Sequence, residues 1–354
     1  MRKHRNRILA GLALVFVIYL LLLLFTNTGE LLAQLQTYPW AILVPVVLLK
    51  SGAWFLRFWR WHYFLGVIDA AHKISKFDSA VIFVSGFTLT VSPGKLGELL
   101  KAVVLKAKTG TPISRSAPIV IAERVMDGIA VLLMLLLAFF LAGDGIDIGP
   151  YRFLVLLAGA LLVVGLVAIQ IRPLAYFFLN LLRHLPLLKR LYTPLVEFYE
   201  SSREIFHFRH ILPTAFLGSV AHLLDALSFC LILSGFGLEV TWMLYLQGVF
   251  ITGLTAAIGA LSGVPNGAGV TEISSSGMIL AIIAPTHALI TSSVAMTAAL
   301  IEGFSHKWLR VLVGLVVAVV FRRRLFPETL DAELAEFEAE NRAVRPVESE
   351  GAAA

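Results

Sequence analysis

After a basic start from Met1 to Arg7, positions 8–25 form an unbroken apolar run of 18 residues, about 27 Å of helix at about 1.5 Å per residue. The run is long for a signal-peptide core and no small-x-small cleavage site follows it, so it reads as a retained membrane anchor over 1–26. Further apolar runs at 40–59, 117–141, 153–171, 212–233 and 287–321 predict spanning helices. The last is either one long tilted helix or two short ones meeting at Glu302 to His306, and Arg322-Arg323-Arg324 at its end favours one. Two more apolar regions, 80–105 and 245–283, are each interrupted by Pro and Gly.

Composition removes the soluble alternative: 58% of the 354 residues are hydrophobic, 15% are charged, and the mean hydropathy is +0.85. The chain reads as an all-α polytopic membrane protein with about six to eight transmembrane helices and two Pro/Gly-broken re-entrant hairpins in an inverted repeat. One cysteine, Cys230, excludes an internal disulfide and a cysteine-built metal centre. The net charge of +6 conceals an acidic end: from Pro327 on, eight carboxylates face Arg342 and Arg345, so the preceding residues carry about +12. In a membrane protein this excess is a topology signal and an attraction to anionic lipid, which makes nucleic acid an unsuitable partner.

Lys and Arg crowd the N-terminus, 57–76, 101–115, 172–209 and 322–324, whereas 26–38 and 143–149 carry acids only. That alternation places both termini in the cytoplasm. It divides the chain into the anchor (1–26), a first half (39–172) with a hairpin at 80–108, a cytoplasmic linker (173–210), a second half (211–322) with a broken hairpin at 242–284, and an acidic tail (323–354). Residues 183–210, with Arg and Lys interleaved among Leu, Tyr and Phe, read as an amphipathic surface helix or as a solvated linker.

The first broken region has only about 12 apolar residues before Ser92-Pro93-Gly94, about 18 Å, which reaches mid-bilayer and no further. Irregular backbone at that depth needs protein or water to satisfy it, so the break predicts a polar cavity. The second region repeats the design. Phe83-Val84-Ser85-Gly86-Phe87-Thr88 matches Phe250-Ile251-Thr252-Gly253-Leu254-Thr255, and Pro93-Gly94-Lys95-Leu96-Gly97 matches Pro265-Asn266-Gly267-Ala268-Gly269. Inverted halves with discontinuous helices are a common construction of secondary transporters.

Several charges fall inside these runs. Lys95, Glu98 and Lys101 lie close to one helix face after the first break, where ammonium groups and free helix-start amides suit a phosphate; alternatively Lys95 and Glu98 neutralise each other and hold the hairpin. Glu123, Arg124 and Asp127 lie in the inner third of the next span and form either an ion-pair cluster with Lys95 or Lys101 or a substrate contact. Of the isolated ionisable groups in the second half, Glu272 ranks first, followed by Asp225 with His222, and Glu302. Lys50 either lines the cavity or snorkels. His207-x-x-His210 lacks a third ligand, so no metal is expected, nor any cofactor; there is no P-loop, G-x-S-x-G or H-E-x-x-H run.

Taken together, Arg60-Trp61, Ser92-Pro93-Gly94-Lys95-Leu96-Gly97-Glu98 with Lys101, Glu123-Arg124-x-x-Asp127 and Pro265-x-Gly267-x-Gly269-x-x-Glu272 resemble the transmembrane region of lysylphosphatidylglycerol synthases and their stand-alone flippase-like relatives. The resemblance covers about 8–322. It implies a bacterial inner-membrane protein that moves a phospholipid or related lipid between leaflets, without the aminoacyltransferase domain of longer members. Asn266 stands where the family usually has Gly, and Glu302 stands in the last helix where an Arg is expected.

The expectation is therefore a translocase for an anionic phospholipid, an aminoacylated phospholipid or a polyprenyl-phosphate-type lipid, compatible with a homodimer. Its headgroup site would comprise Pro93, Gly94, Lys95, Gly97, Glu98, Lys101, Glu123, Arg124, Asp127, Pro265, Gly267, Gly269 and Glu272. Within it Lys95 and Lys101 would hold a phosphate, Glu98 and Glu123 would orient the lysines, and Glu272 would complement an amine. An integral-membrane transferase using Glu98, Glu123 or Asp127 as base, and a secondary transporter of a small solute, are the competing classes.

Overall fold

The computed structural model describes residues 28–91, 99–143, 157, 160, 164–165, 167–183 and 192–325. The anchor at 1–26, nearly all of the acidic tail, and Pro93, Gly94, Lys95, Gly97 and Glu98 lie outside the described residues. Among the described residues the chain is helical without strands. Six runs are long and apolar enough to cross a membrane: Trp40–Val67, Ile113–Ala142, Phe208–Ser234, Trp242–Leu261, Pro265–Thr286 and Ser292–Val320. This is an all-α polytopic membrane protein.

Helix α1 is Thr28–Thr37 and α2 is Leu43–Val67, entered through a 3-10 turn at Trp40–Ile42. Helix α3, Lys76–Ser85, is started by Ser75, whose hydroxyl accepts from Asp78 N–H, and tightens into a 3-10 segment, Gly86–Val91. Helix α4, Leu100–Thr109, stops at Gly110, which takes the left-handed conformation (φ 69°) that glycine adopts without strain. Helix α5 is Ile113–Ala142, and α6 (Arg172–Arg183) and α7 (Tyr192–Ile205) follow. Helix α8, Phe208–Ser234, has His207 as its cap. Thr241 caps α9, Trp242–Leu261, and Thr291 caps α11, Ser292–Gly303. Between these lies α10, Val270–Met278, continuing through a π turn at Ile279–Ile283. After α11 a second π turn, Phe304–Trp308, leads into α12, Leu309–Val320, and the short α13, Arg322–Leu325.

The antiparallel pair α2 and α8 is the spine. Tyr38 donates to the Ile232 carbonyl at one end, Gly52 faces Leu224 in the middle, and Tyr63 meets His210 at the other. Helix α5 runs alongside α8 in the same direction, with Thr214 over Met126 and Gly218 against Ala130. Helix α9 returns beside both, its Gly248 packed on Cys230. One apolar core gathers Trp61, Phe64, Ile82, Phe83, Leu105 and Met126; the other gathers Val46, Phe229, Ile251, Ile279 and Ile301. Outward, Leu133, Leu137 and Phe140 on α5 and Leu315, Val316 and Val319 on α12 are exposed. Such a surface suits hydrocarbon, not water. Lys76, Lys108, Arg115, Arg172, Arg203 and Arg209 gather at one end of the bundle, the basic end.

Two expectations change shape. The region 242–284 does not form two half-depth arms: α9 has 20 residues and the run from Pro265 to Thr286 has 22, each of spanning length. Helix α9 runs unbroken through Gly248, Gly253 and Gly259; Gly248 and Gly259 lie against neighbours that leave no room for a side chain, and Gly253 lies close to His222 and Leu135. The amphipathic stretch 183–210 is helical at Tyr192–Ile205, and α7 packs against α5; Tyr199 donates to the Ile169 carbonyl and Gln170 to the Phe206 carbonyl. The run 287–321, by contrast, is one helical passage from Ser292 to Val320, widened at Phe304–Trp308.

The first broken element is wedged into the bundle. Gly86–Val91 packs on α12 and touches the 3-10 turn Pro265–Gly267, so the segment leading into the first break meets the second break. Gly314 makes this approach available: a Cβ there would lie 2.8 Å from the Val84 carbonyl oxygen and 3.0 Å from Thr88 N. Gly314→Ala should therefore lower the thermal midpoint of the detergent-solubilised protein by several degrees, the scale of a ~1–3 kcal/mol overpacking cost. Gly128→Ala is the control, since it gains the same helix propensity with no atom within 4 Å of the new methyl and should not lower the midpoint.

Candidate functional site

Three groups of buried charges line the interior, and each ties different helices together. The first joins α2, α4 and α5. Lys101 Nζ donates to Glu123 Oε2 at 2.6 Å and lies 4.7 Å from the centre of the Trp61 ring, while its stem runs against Gly86, the start of the 3-10 segment. Arg60 Nη2 donates to Asp127 Oδ1 at 2.6 Å, and Arg124 stands 3.4 Å from the other Asp127 oxygen. Glu123 and Asp127, four residues apart, share a face of α5 as the spacing requires. Both face cations from other helices, which is the ion-pair arrangement. A carboxylate so held is a poor general base.

The second group lies at the second break. Glu272 accepts from Gly269 N–H at 2.8 Å, from the Thr271 hydroxyl at 3.1 Å and from Lys307 Nζ at 2.5 Å. It is a helix-start acid facing its own amides, and Gly303 of α11 gives it room, since a Cβ there would collide with the carboxylate. Glu272 thus anchors Lys307 and is not an open acceptor waiting for an amine. Gly267 and Gly269 have φ of 63° and 77°, and Asn266 between Pro265 and Gly267 has φ 54°. Asn tolerates that left-handed backbone better than other side chains, which explains how it stands in a glycine's place. Its buried Nδ2 has no hydrogen-bond partner among the described residues. Arg310, one turn beyond Lys307, lies over the Phe87 ring of the segment Gly86–Val91 at 5.4 Å.

The third group sits between them. Lys50, wholly buried, donates to Glu302 Oε1 at 2.7 Å and lies 3.5 Å from Asp225 Oδ1. Arg57 pairs with Asp225 Oδ2 at 2.7 Å. His306 Nδ1 is 3.3 Å from Lys50 Nζ and 3.6 Å from Asp225. Lys50 therefore faces inward and does not snorkel. His222 makes no hydrogen bond to Asp225; its Nε2 lies 3.4 Å from the Val249 carbonyl. The groups are chained along two elements. Lys50, Arg57 and Arg60 descend one helix over about 15 Å, and Glu302 stands just before the π turn after α11 while Lys307 lies within it.

The sequence pattern gave Lys101, Glu123, Arg124, Asp127, Pro265, Gly267, Gly269 and Glu272, and all of these fall in or beside these groups. It passed over Arg57, Lys307 and Arg310. The signal was there: Lys307 and Arg310 are three apart with apolar residues on both sides, a placement too costly for lipid unless both face the bundle interior. His207 and His210 serve local ends, His207 capping α8 and His210 bonding Tyr63 and Arg209. At the basic end, burial would raise the Asp78 carboxyl, but the Ser75 hydroxyl with Lys108 and Arg324 holds it below the usual carboxylate range.

The family model described as the lysylphosphatidylglycerol synthase TM region matches residues 8–329. No curated protein and no solved structure matches the chain.

A buried pair costs most when one partner is removed, because the other charge is left without compensation. Lys307→Met should destabilise the protein by ~3–5 kcal/mol, and adding Glu272→Met should recover most of that loss. Thermal unfolding of both variants in detergent measures the difference; equal losses would show that the pairing is not what holds α10 to the π turn.

Proposed function

We propose, from the premise that the chain belongs to the lysylphosphatidylglycerol synthase transmembrane-region family, that it is a translocase carrying a lipid with an anionic headgroup between the leaflets of a bacterial inner membrane. The observation that carries this reading is the meeting of the two broken segments, Gly86–Val91 and Pro265–Gly267, among buried ion pairs. Interrupted helices facing each other near charged groups are what a polar headgroup needs to pass through hydrocarbon while its chains stay in lipid.

Charge supports an anion. Across the three groups Lys50, Arg57, Arg60, Lys101, Arg124, Lys307 and Arg310 face Glu123, Asp127, Asp225, Glu272 and Glu302, a surplus of two positive charges. Glu302 Oε2 and Asn266 Nδ2 are buried polar atoms without hydrogen-bond partners, places where a headgroup or water would bond. Lys95 and the amides after Pro93-Gly94 complete the reading as phosphate ligands, with Glu98 orienting Lys95. Cytoplasmic termini follow from the charge distribution. The transferase alternative is weakened by the cations already bound to Glu123 and Asp127.

The test is reconstitution in vesicles carrying a fluorescent anionic phospholipid in one leaflet. The wild type should move the probe across, with lipid extracts chemically unchanged. Lys95→Ala should slow exchange about tenfold or more, as expected for losing a charge-assisted contact of ~1.5–3 kcal/mol, at an unaltered thermal midpoint. Undiminished exchange by Lys95→Ala removes the headgroup role of that lysine, and a new lipid species in the extract turns the reading towards an enzyme.

A further inference from the structure

The buried groups leave unexplained a cleft of about 610 Å³ at the basic end, lined by Trp59, His62, Tyr63, Lys76, Glu204 and Arg209, with Gly66 and Val67 among its walls. Its volume is that of a small-molecule site, and its charges are not spent on one another. Among the described residues Lys76 has only the Trp59 ring, 5.5 Å away, and Arg209 meets no carboxylate. Among the described residues the Glu204 carboxylate has no ion pair or hydrogen bond. An adjoining cleft, lined by Arg172, Glu197 and Glu200, differs in this respect: Arg172 pairs with Glu200 at 3.0 Å, and Glu197 accepts from Ser114.

The floor of the first cleft has a fixed donor. Arg209 Nε donates to His210 Nε2 at 2.9 Å, and a guanidinium can only donate, so Nε2 is the acceptor and the ring proton sits on Nδ1. That Nδ1–H donates to the Tyr63 oxygen at 2.7 Å, which leaves the Tyr63 hydroxyl proton for another acceptor. Buried His210 thus turns Tyr63 into a donor at the cleft. One wall also continues into an exposed apolar surface. Val44, Leu48, Phe55 and Trp59 form an exposed stripe along α2 at helical spacing, and Trp59 is both the last of the stripe and part of the cleft.

We propose that this cleft is a lipid-binding site, separate from the buried ion pairs, for a phospholipid whose headgroup joins a phosphate to a primary amine. The phosphate takes the donors of Lys76, Arg209 and Tyr63; the amine takes Glu204; the acyl chains lie along the stripe that ends at Trp59. Two cations and one acid match that pair of opposite charges, with one positive charge left over for the approach.

Binding is measured without leaflet exchange, so its result is independent of the translocase reading. The full chain in detergent is titrated with short-chain phosphatidylethanolamine, phosphatidylglycerol and water-soluble glycerophosphoethanolamine, with native mass spectrometry as the readout. Phosphatidylethanolamine should bind at least tenfold more tightly than the soluble headgroup. Glu204→Gln should weaken phosphatidylethanolamine about tenfold and leave phosphatidylglycerol unchanged, while Lys76→Ala with Arg209→Ala should weaken both lipids, all at an unaltered thermal midpoint. Unchanged phosphatidylethanolamine affinity in both variants overturns the site, and a soluble headgroup that binds as tightly as the lipid overturns the role of the stripe.

Discussion

In hydrocarbon a charge is tolerable only beside an opposite one, and this constraint organises the interior of the bundle. Between helices surrounded by lipid the hydrophobic effect contributes little to association, so small residues and polar contacts have to hold the elements together. Helix α2 takes most of this duty. Its Lys50, Arg57 and Arg60 each reach a carboxylate on a different partner: Glu302 on α11, Asp225 on α8 and Asp127 on α5. Because a stranded buried charge is more costly than the pair is favourable, each carboxylate effectively fixes the position of a helix that it does not belong to.

The second organising element is close backbone approach. The wedge formed by Gly86–Val91 is held from one side by Gly314 and from another by the stem of Lys101 on Gly86, and it ends against Pro265–Gly267. At the second break Gly259 and Gly267 come together, where added methyl groups would collide with Thr271. Charges and glycines thus occupy the same zone for complementary reasons: the glycines bring backbones near, and the charges satisfy what that nearness exposes.

Much of this was legible in the sequence. The apolar runs locate the spans, and the segment that leads into the first Pro/Gly interruption touches the second one in the fold. What stayed hidden was who pairs with whom. Lys50 and Glu302 are 252 residues apart, and no local pattern connects them. Lys307 and Arg310 were hidden inside an apolar run whose average outweighed two isolated charges. The full length of the arms around the second break also emerges only in the fold, where the α9 glycines serve as flat contact points against Cys230, His222 and Thr271. Glu272 looked like an acid with an unassigned role until Lys307 arrived from another helix.

The widened turn at Phe304–Trp308 has a consequence for how the last membrane passage is set. In a regular helix two residues five apart project in widely divergent directions, yet Glu302 must address Lys50 while Lys307 addresses Glu272. The π turn decouples the rotational phase of the segment before it from that of the segment after it, as one inserted residue does in an otherwise regular helix. A single-residue deletion there would re-phase everything downstream by about 100°, turning Lys307 and Arg310 away from the interior while Glu302 keeps its aim. One helix can therefore answer to two unrelated partners because it behaves, geometrically, as two rods joined at an adjustable collar.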